Sequence, residues 1–285
     1  MEKILVTGAT GNVGRHVVTQ LAEAGLDVRA LVRDPERARL PERVEVVRGD
    51  LMAPETVEPA LHGVDSVFLL WPGHPTGPAA GVVAAAARHA RRIVYVSAYD
   101  PAEGATGDVT EDAAPTLFHH EVERLIRHSG LSWTFLRVSG FAVNTLGWAD
   151  QVRKGVVRWP FGDAARALIH ERDIAAVAVH ALTSAGHGGA TYKISGPGLL
   201  TQAEQVRVIG EVVGREVRWE EQPAEETRAA LLPLWGDAGF VDAALKGWAS
   251  FVTRPEEVTD TVEKLLGRPA LTFRQWAEEH ADDFR

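Results

Sequence analysis

Apolar residues in the first half of the chain come in short runs, and these runs alternate with stretches of helical periodicity. Residues 3–7, 27–32, 44–48, 66–70, 92–97 and 133–138 each read as a strand buried on both faces. Between them, 12–24, 79–90 and 111–129 carry helical patterns. Strands alternating with helices form βαβ units, which assemble into a parallel sheet covered on both sides. The spacing therefore predicts an α/β fold with a doubly wound parallel sheet. After residue 139 the rhythm changes. Residues 173–183 and 191–195 read as a further helix and strand of the same sheet. The pieces 139–168 and 197–285 are richer in Trp, Pro and mixed helix, and are expected to build a smaller cap. Pro and Gly crowd two loops, 71–81 and 101–107, which makes both candidate walls of a site.

The first predicted strand runs directly into Val6-Thr7-Gly8-Ala9-Thr10-Gly11-Asn12-Val13-Gly14, and that run opens the first predicted helix. This context separates a dinucleotide-binding loop from a chance glycine run. One glycine makes the tight turn, the second lets backbone approach a pyrophosphate, and the third lets helix pack close to strand. The helix N-terminus then offers N–H groups and partial positive charge to the phosphates. Gly8, Thr10, Gly11, Asn12, Val13 and Gly14 are thus candidate cofactor ligands, and residues 1–138, rejoined by 169–196, are expected to form a Rossmann-type domain. A carboxylate at the end of the second strand would hold the ribose 2′-hydroxyl of NAD. Arg33 stands there instead, where a guanidinium can fork onto a 2′-phosphate, so the expected cofactor is NADP(H). Asp34, one residue on, is expected to cap the following turn. Asp50 and Leu51 after the third strand are expected beside the adenine, or else Asp50 caps a helix. Leu70 and Trp71 after the fourth strand, Ser97 at the end of the fifth, His119 on the next helix and Phe141 after the sixth complete the cofactor set.

Composition narrows the partners. With no cysteine, the chain has no disulfide, thiolate metal site or cysteine nucleophile, which fits a cytoplasmic address. A net charge of −9 argues against a nucleic-acid partner. No apolar stretch reaches the ~18 residues of a membrane span. His119-His120 with Glu121 and Glu123 lacks zinc-type spacing, so no metal is expected. The assembly is expected to be a monomer or homodimer.

The run from Gly8 to Arg33, Gly49-Asp50-Leu51 and Val94-Tyr95-Val96-Ser97 resemble the NmrA-like group of atypical short-chain dehydrogenase/reductases. The likeness continues through 119–130 (HHEVERLIRHSG), 133–144 (WTFLRVSGFAVN) and 169–175 (IHERDIA), and weakens between about 220 and 250. That resemblance implies NADPH-dependent quinone and ketone reductases, or redox sensors that bind NADP without chemistry. Reductases of the wider family use a Ser at the end of the fifth strand, with a Tyr and a Lys four residues apart on the next helix. Ser97 matches the first, but 111–129 contains neither Tyr nor Lys. His119 falls at the Lys-like position and Pro115 where Tyr would stand; Tyr99 is the tyrosine near the strand end. Three readings follow. Ser97 binds the substrate carbonyl while His119, His120 or Tyr99 supplies the proton. Alternatively, the protein only orients the cofactor, and water or the substrate protonates the product. In the third reading it senses the cofactor and catalyses nothing.

Trp71, Phe141, Trp148, Trp159 and Phe161 follow strand ends, and Trp235, Phe240 and Trp248 lie in the most divergent segment. Their concentration in the expected cap points to an apolar cleft for a flat aromatic substrate. Trp71, Tyr99, Phe141, Trp148 and Phe161 are the candidate contacts. The resemblance and the missing Tyr–Lys pair together imply a ketoreductase for aromatic polyketides of the angucyclinone kind, a step in antibiotic biosynthesis.

Overall fold

The computed structural model describes residues 2–73, 75–99 and 117–285. The predicted loop 101–107, Pro115 and the start of the third predicted helix lie outside the described residues. The chain begins β1 (Lys3–Val6), α1 (Gly14–Glu23), β2 (Asp27–Val32), β3 (Glu45–Arg48), β4 (Ser66–Leu70), α2 (Ala79–His89) and β5 (Arg92–Ala98). It continues with α3 (Leu117–Arg127), β6 (Ser132–Val138), α4 (Ala149–Arg153), β7 (Val156–Trp159), β8 (Ala165–Arg166), α5 (Glu171–Thr183) and β9 (Ala190–Ile194). The tail comprises β10 (Leu200–Thr201), α6 (Gln202–Val213), β11 (Arg218–Glu221), α7 (Ala224–Trp235), α8 (Ala238–Thr253), α9 (Thr261–Leu266) and α10 (Phe273–Glu279).

Seven strands form one parallel sheet in the order β3-β2-β1-β4-β5-β6-β9. Burial on both faces explains why the inner strands are apolar throughout, whereas β3, expected to be buried as well, lies at the sheet edge and is largely exposed. Ile4, Val6, Phe68, Val94, Val96, Leu136 and Val138 pack against α1 and α5 on one face. Leu5, Val67, Leu69, Ile93, Tyr95 and Phe135 pack against α2 and α3 on the other. Strand order reverses between β1 and β4, so their C-terminal ends open a crevice at the switch point. Thr7 sets its width: its N–H donates to the Phe68 carbonyl (3.0 Å) and its Oγ1 accepts from the Leu70 N–H (2.9 Å).

Much of the rest of the chain builds a separate part, but α9 returns to the sheet and packs through Val262 on the α1/α5 face, so 197–285 is not all cap. Two short pairings, antiparallel β8–β10 and parallel β7–β11, frame a separate core around Trp148, Val152, Val157, Ile209 and Trp276. α7 and α8 pack on each other through Leu231, Val241 and Leu245, with Trp159, Phe161 and Trp248 alongside. Buried Glu256, just past α8, accepts from Arg166 Nη2 (2.7 Å), the Ala167 N–H (2.9 Å) and the Gly140 N–H (3.3 Å). That one carboxylate pins the end of α8 above β6. No helix of the described residues is long and apolar enough to cross a membrane.

Candidate active site

The glycine turn is built to admit a cofactor. Gly8 has φ 61°, a left-handed conformation that favours glycine. The Gly11 N–H closes the turn on the Gly8 carbonyl at 2.9 Å. A Cβ at Gly14 would fall 2.1 Å from that same carbonyl oxygen, so α1 approaches β1 only because no side chain intervenes. Gly8, Thr10, Gly11 and Asn12 are exposed at the crevice, while Val13 and Gly14 are buried beneath it. α1 begins at Gly14, two residues later than the hydrophobic period predicts, because the chain is still turning through Asn12 and Val13. The cradle therefore fits a pyrophosphate on its N–H groups and the helix N-terminus.

Arg33 leaves the end of β2 exposed. Asp34 is committed locally: it caps the 3₁₀ turn Pro35–Arg37 by accepting the Glu36 N–H at 3.2 Å, and lies 3.8 Å from Arg37. Asp34 is thus engaged by its own turn, and Arg33 is the side chain that stands at the strand end. Arg48, the register partner of Val32, donates from Nε to the Arg33 carbonyl at 3.2 Å, which brings a second guanidinium to this corner. Nothing in the linear spacing of Arg48 announced it; only the β2–β3 register does. Asp50 accepts the Met52 N–H at 2.9 Å and so closes its own turn, while the 3₁₀ helix Pro54–Thr56 that follows is capped by Ala53 without a side-chain bond. Leu51 is buried against Leu31 in the core, under the place expected for the adenine.

Next to the crevice lies a cleft of about 700 Å³. Val96, Ser97, Val138 and Gly140 form its floor, and Leu70, Trp71, His119 and Phe141 form one wall. Trp235, Phe240, Ala244, Trp248 and Phe251 from α7 and α8 close the opposite side. Arg166 lies over the Phe251 ring at 4.3 Å, and Lys246 and Arg254 sit at the rim. Phe141 is held where the 140–142 and 167–169 segments meet, since the Ile169 N–H donates to Gly140 and the Ala142 N–H to Ile169, both at 2.9 Å.

Two expected substrate contacts are placed elsewhere. Trp148 is buried in the tail core and packs edge-on against Trp219, because its segment turns away from the strand ends. Phe161, at φ 64°, packs behind Trp248 and supports the wall without lining the cleft. Neither position is visible in a sequence pattern, since both follow strand ends just as Phe141 does.

Ser97 reaches the cleft floor, but its hydroxyl donates inward to Glu123 Oε1 at 2.7 Å. Glu123 is fully buried and is held bidentately by Arg137, Nε to Oε1 at 2.9 Å and Nη2 to Oε2 at 2.7 Å, with Arg127 at 3.1 Å. Ser97 and Arg137 are register partners on β5 and β6 and face the same helix, so one carboxylate satisfies both. In this structure the one hydroxyl proton of Ser97 goes to Glu123 and not into the cleft. Burying a charge is costly without such partners, and removing one partner is costlier than the pair is stabilising.

Tyr99 lines the cleft with its ring while its hydroxyl donates outward to Glu257 at 3.4 Å. Lys193 of β9 lies 5.0 Å from the Tyr99 ring and 3.5 Å from Glu257. A Tyr and a Lys do meet here, from residues far apart in sequence. His119, on the first turn of α3, lines the cleft and its Nδ1 is hydrogen-bonded with the Tyr95 hydroxyl, 2.7 Å away; His120 does not line it. Among the described residues no group of His, Cys, Asp or Glu is arranged to hold a metal ion.

A family model described as NAD(P)H-binding matches residues 8–185, the span of the glycine turn, the crevice and the cleft floor. The chain belongs to the NAD(P)H-binding family. It is 42% identical to the (4-alkanoyl-5-oxo-2,5-dihydrofuran-3-yl)methyl phosphate reductase of Streptomyces griseus, with 99% of each chain covered. To the NAD(P)H azoreductase of Xenophilus azovorans it is 37% identical, again over 99% of each. Among solved structures, the NADPH-dependent quinone oxidoreductase of Escherichia coli superposes with a TM-score of 0.78 at 25% identity, covering 97% of this chain and 98% of that one. Within the family the chain is thus an NAD(P)-dependent oxidoreductase of the NmrA-like, atypical short-chain type.

Proposed function

We propose that the protein is an NADPH-dependent reductase acting on a carbonyl of a flat, electron-poor molecule, an aromatic polyketide or a quinone-like compound. The observation that carries this reading is the aromatic-walled cleft of about 700 Å³ opening at the strand ends beside the glycine crevice. Such a cleft excludes water around a flat ring system and holds it in register with the cofactor. Bound nicotinamide supplies the hydride.

The protein's own residues bind and orient. Gly8, Thr10, Gly11, Asn12, Val13 and Gly14 receive the pyrophosphate, and Arg33 with Arg48 grips the 2′-phosphate. Leu70, Trp71 and Phe141 would hold the nicotinamide end, and Trp248 and Phe251 would contact the substrate. The segments 139–168 and 197–285, α9 apart, act as the substrate-binding part. Arg254 has no acidic partner among the described residues and suits a substrate with an anionic substituent. The Streptomyces relative, whose name carries a phosphate ester, supports that choice.

The test follows the loss of NADPH absorbance against a panel of quinones, aromatic ketones and acyl-furanone phosphates. Turnover with at least one class is expected, with NADPH preferred over NADH. No turnover with any, together with affinities that differ between NADP⁺ and NADPH, would establish the cofactor sensor instead. The inward Ser97 hydroxyl is the observation that keeps that second reading in view.

A further inference from the structure

A buried phenol needs an acceptor for its proton. Tyr95 is fully buried on β5, edge-on to Phe135, and its ring reaches up towards the cleft. Among the described residues, His119 Nδ1 is the one polar atom within hydrogen-bonding reach of its hydroxyl, at 2.7 Å. The nitrogen that accepts this proton cannot carry one of its own. The imidazole proton of neutral His119 then sits on Nε2, the nitrogen away from Tyr95. Phe118 lies against the ring, with centroids 3.9 Å apart, and helps fix its plane.

We infer that Tyr95 is a positioning residue that holds His119 as its neutral Nε2–H tautomer, so that His119 meets the bound carbonyl as a hydrogen-bond donor and not as the proton source. The second half rests on the hydride-transfer reading of the cleft; the first does not. A neutral imidazole that surrendered its Nε2 proton would become an imidazolate unless Nδ1 took the phenol's proton at the same moment. Burial and the negative charge of Glu123 both push the Tyr95 phenol up, so it does not yield that proton. The relay is closed. Hydride adds to the carbonyl carbon, the π pair moves to oxygen, and oxygen takes its proton from water at the open side of the cleft or from the substrate's own acidic group. The charged and titratable groups facing the pair, among the described residues, are Glu123 with Arg127 and Arg137, and the α3 neighbours His120 and Glu121. Glu121 accepts from Thr76 on the loop before α2.

The experiment reads the tautomer directly. Protein labelled with ¹⁵N-histidine is examined with NADP⁺ bound, and the His119 signals are assigned by their loss in His119→Gln. The expected spectrum has a protonated Nε2 and a bare Nδ1, and His119 resists protonation to lower pH than in Tyr95→Phe. Tyr95→Phe is also expected to lower kcat/KM about three- to tenfold, the weight of one orienting hydrogen bond, and to add a pH-dependent limb near the ordinary histidine value. His119→Gln, which keeps an N–H near the Nε2 position, is expected to retain more kcat than His119→Leu. A protonated Nδ1, or a His119 titration that Tyr95→Phe leaves unmoved, overturns the positioning role. Equal loss in the Gln and Leu variants overturns the donor role. Because the spectra need no turnover, an inactive protein with the expected tautomer counts against the hydride-transfer reading alone.

Discussion

The crevice between β1 and β4 is made of main chain, whereas the wall that faces it across the cleft is made of side chains carried in from α7 and α8. In the crevice, seven consecutive residues from Gly8 to Gly14 contain nearly the whole device, and the atoms that matter are N–H groups and absent Cβ atoms. In the wall, Trp235, Phe240, Trp248 and Phe251 come from separate turns, held by Glu256 pinning Gly140, Arg166 and Ala167. The first leaves no room for a Cβ at Gly14. The second tolerates volume-conserving change and decides what fits.

That contrast makes graded predictions. Gly14→Ala is expected to have the largest effect, because its Cβ would sit 2.1 Å from the Gly8 carbonyl oxygen. The ~1–3 kcal/mol of overpacking falls on the turn itself, and NADPH affinity should drop by up to about 100-fold. Calorimetric titration of the cofactor measures this; unchanged affinity would show that α1 can retreat from β1. Arg33→Ala comes next, with the NADPH-over-NADH ratio of kcat/KM falling ~10–100-fold, the weight of one charged hydrogen bond. A ratio that stays put would transfer the 2′-phosphate to Arg48 alone.

Trp248→Ala tests the wall. KM for the carbonyl substrate should rise about tenfold through lost apolar contact, while NADPH affinity stays unchanged. If both parameters moved together, the two regions would not be separable. Ser97→Ala is smaller: kcat is expected within about threefold of the parent, since the hydroxyl serves Glu123, with ~1 kcal/mol lost from stability. A collapse of kcat with a normal melting temperature would return Ser97 to the chemistry.

A buried carboxylate outside both regions makes the fold sensitive to acid. Glu171 at the start of α5 is buried. Desolvation opposes its charge, yet the neighbouring His170 ring, 3.4 Å away, its own backbone N–H and the hydrogen bond from His280 beyond α10 hold its carboxyl down to about 2, below the ordinary 4.5. The folded chain therefore binds this proton less readily than the unfolded one. The stabilisation is complete above the ordinary value and is lost as pH falls from there towards about 2. Melting temperatures measured down the acid range should fall more steeply for the parent than for Glu171→Gln; identical slopes would remove Glu171 from the acid response.

Residues that act through neighbours in sequence were legible before any fold was known. The strand and helix periods, the glycine turn, Arg33 at the end of β2 and the local commitment of Asp34 all depend on contacts within a few residues, so pattern and spacing are enough to read them. The lack of a helix Tyr–Lys pair was equally plain. What tertiary structure alone decided are the meetings across the sheet. Arg48 reaches the Arg33 corner through register, Ser97 turns inward to Glu123 and Arg137, and Tyr95 claims Nδ1 of His119. The division among the aromatics, with Trp248 in the cleft, Phe161 behind it and Trp148 in a separate core, was settled at the same level. Each is a choice between directions that a side chain can take from the same local pattern. Only the packing of distant segments, through burial and the pairing of polar groups, selects one.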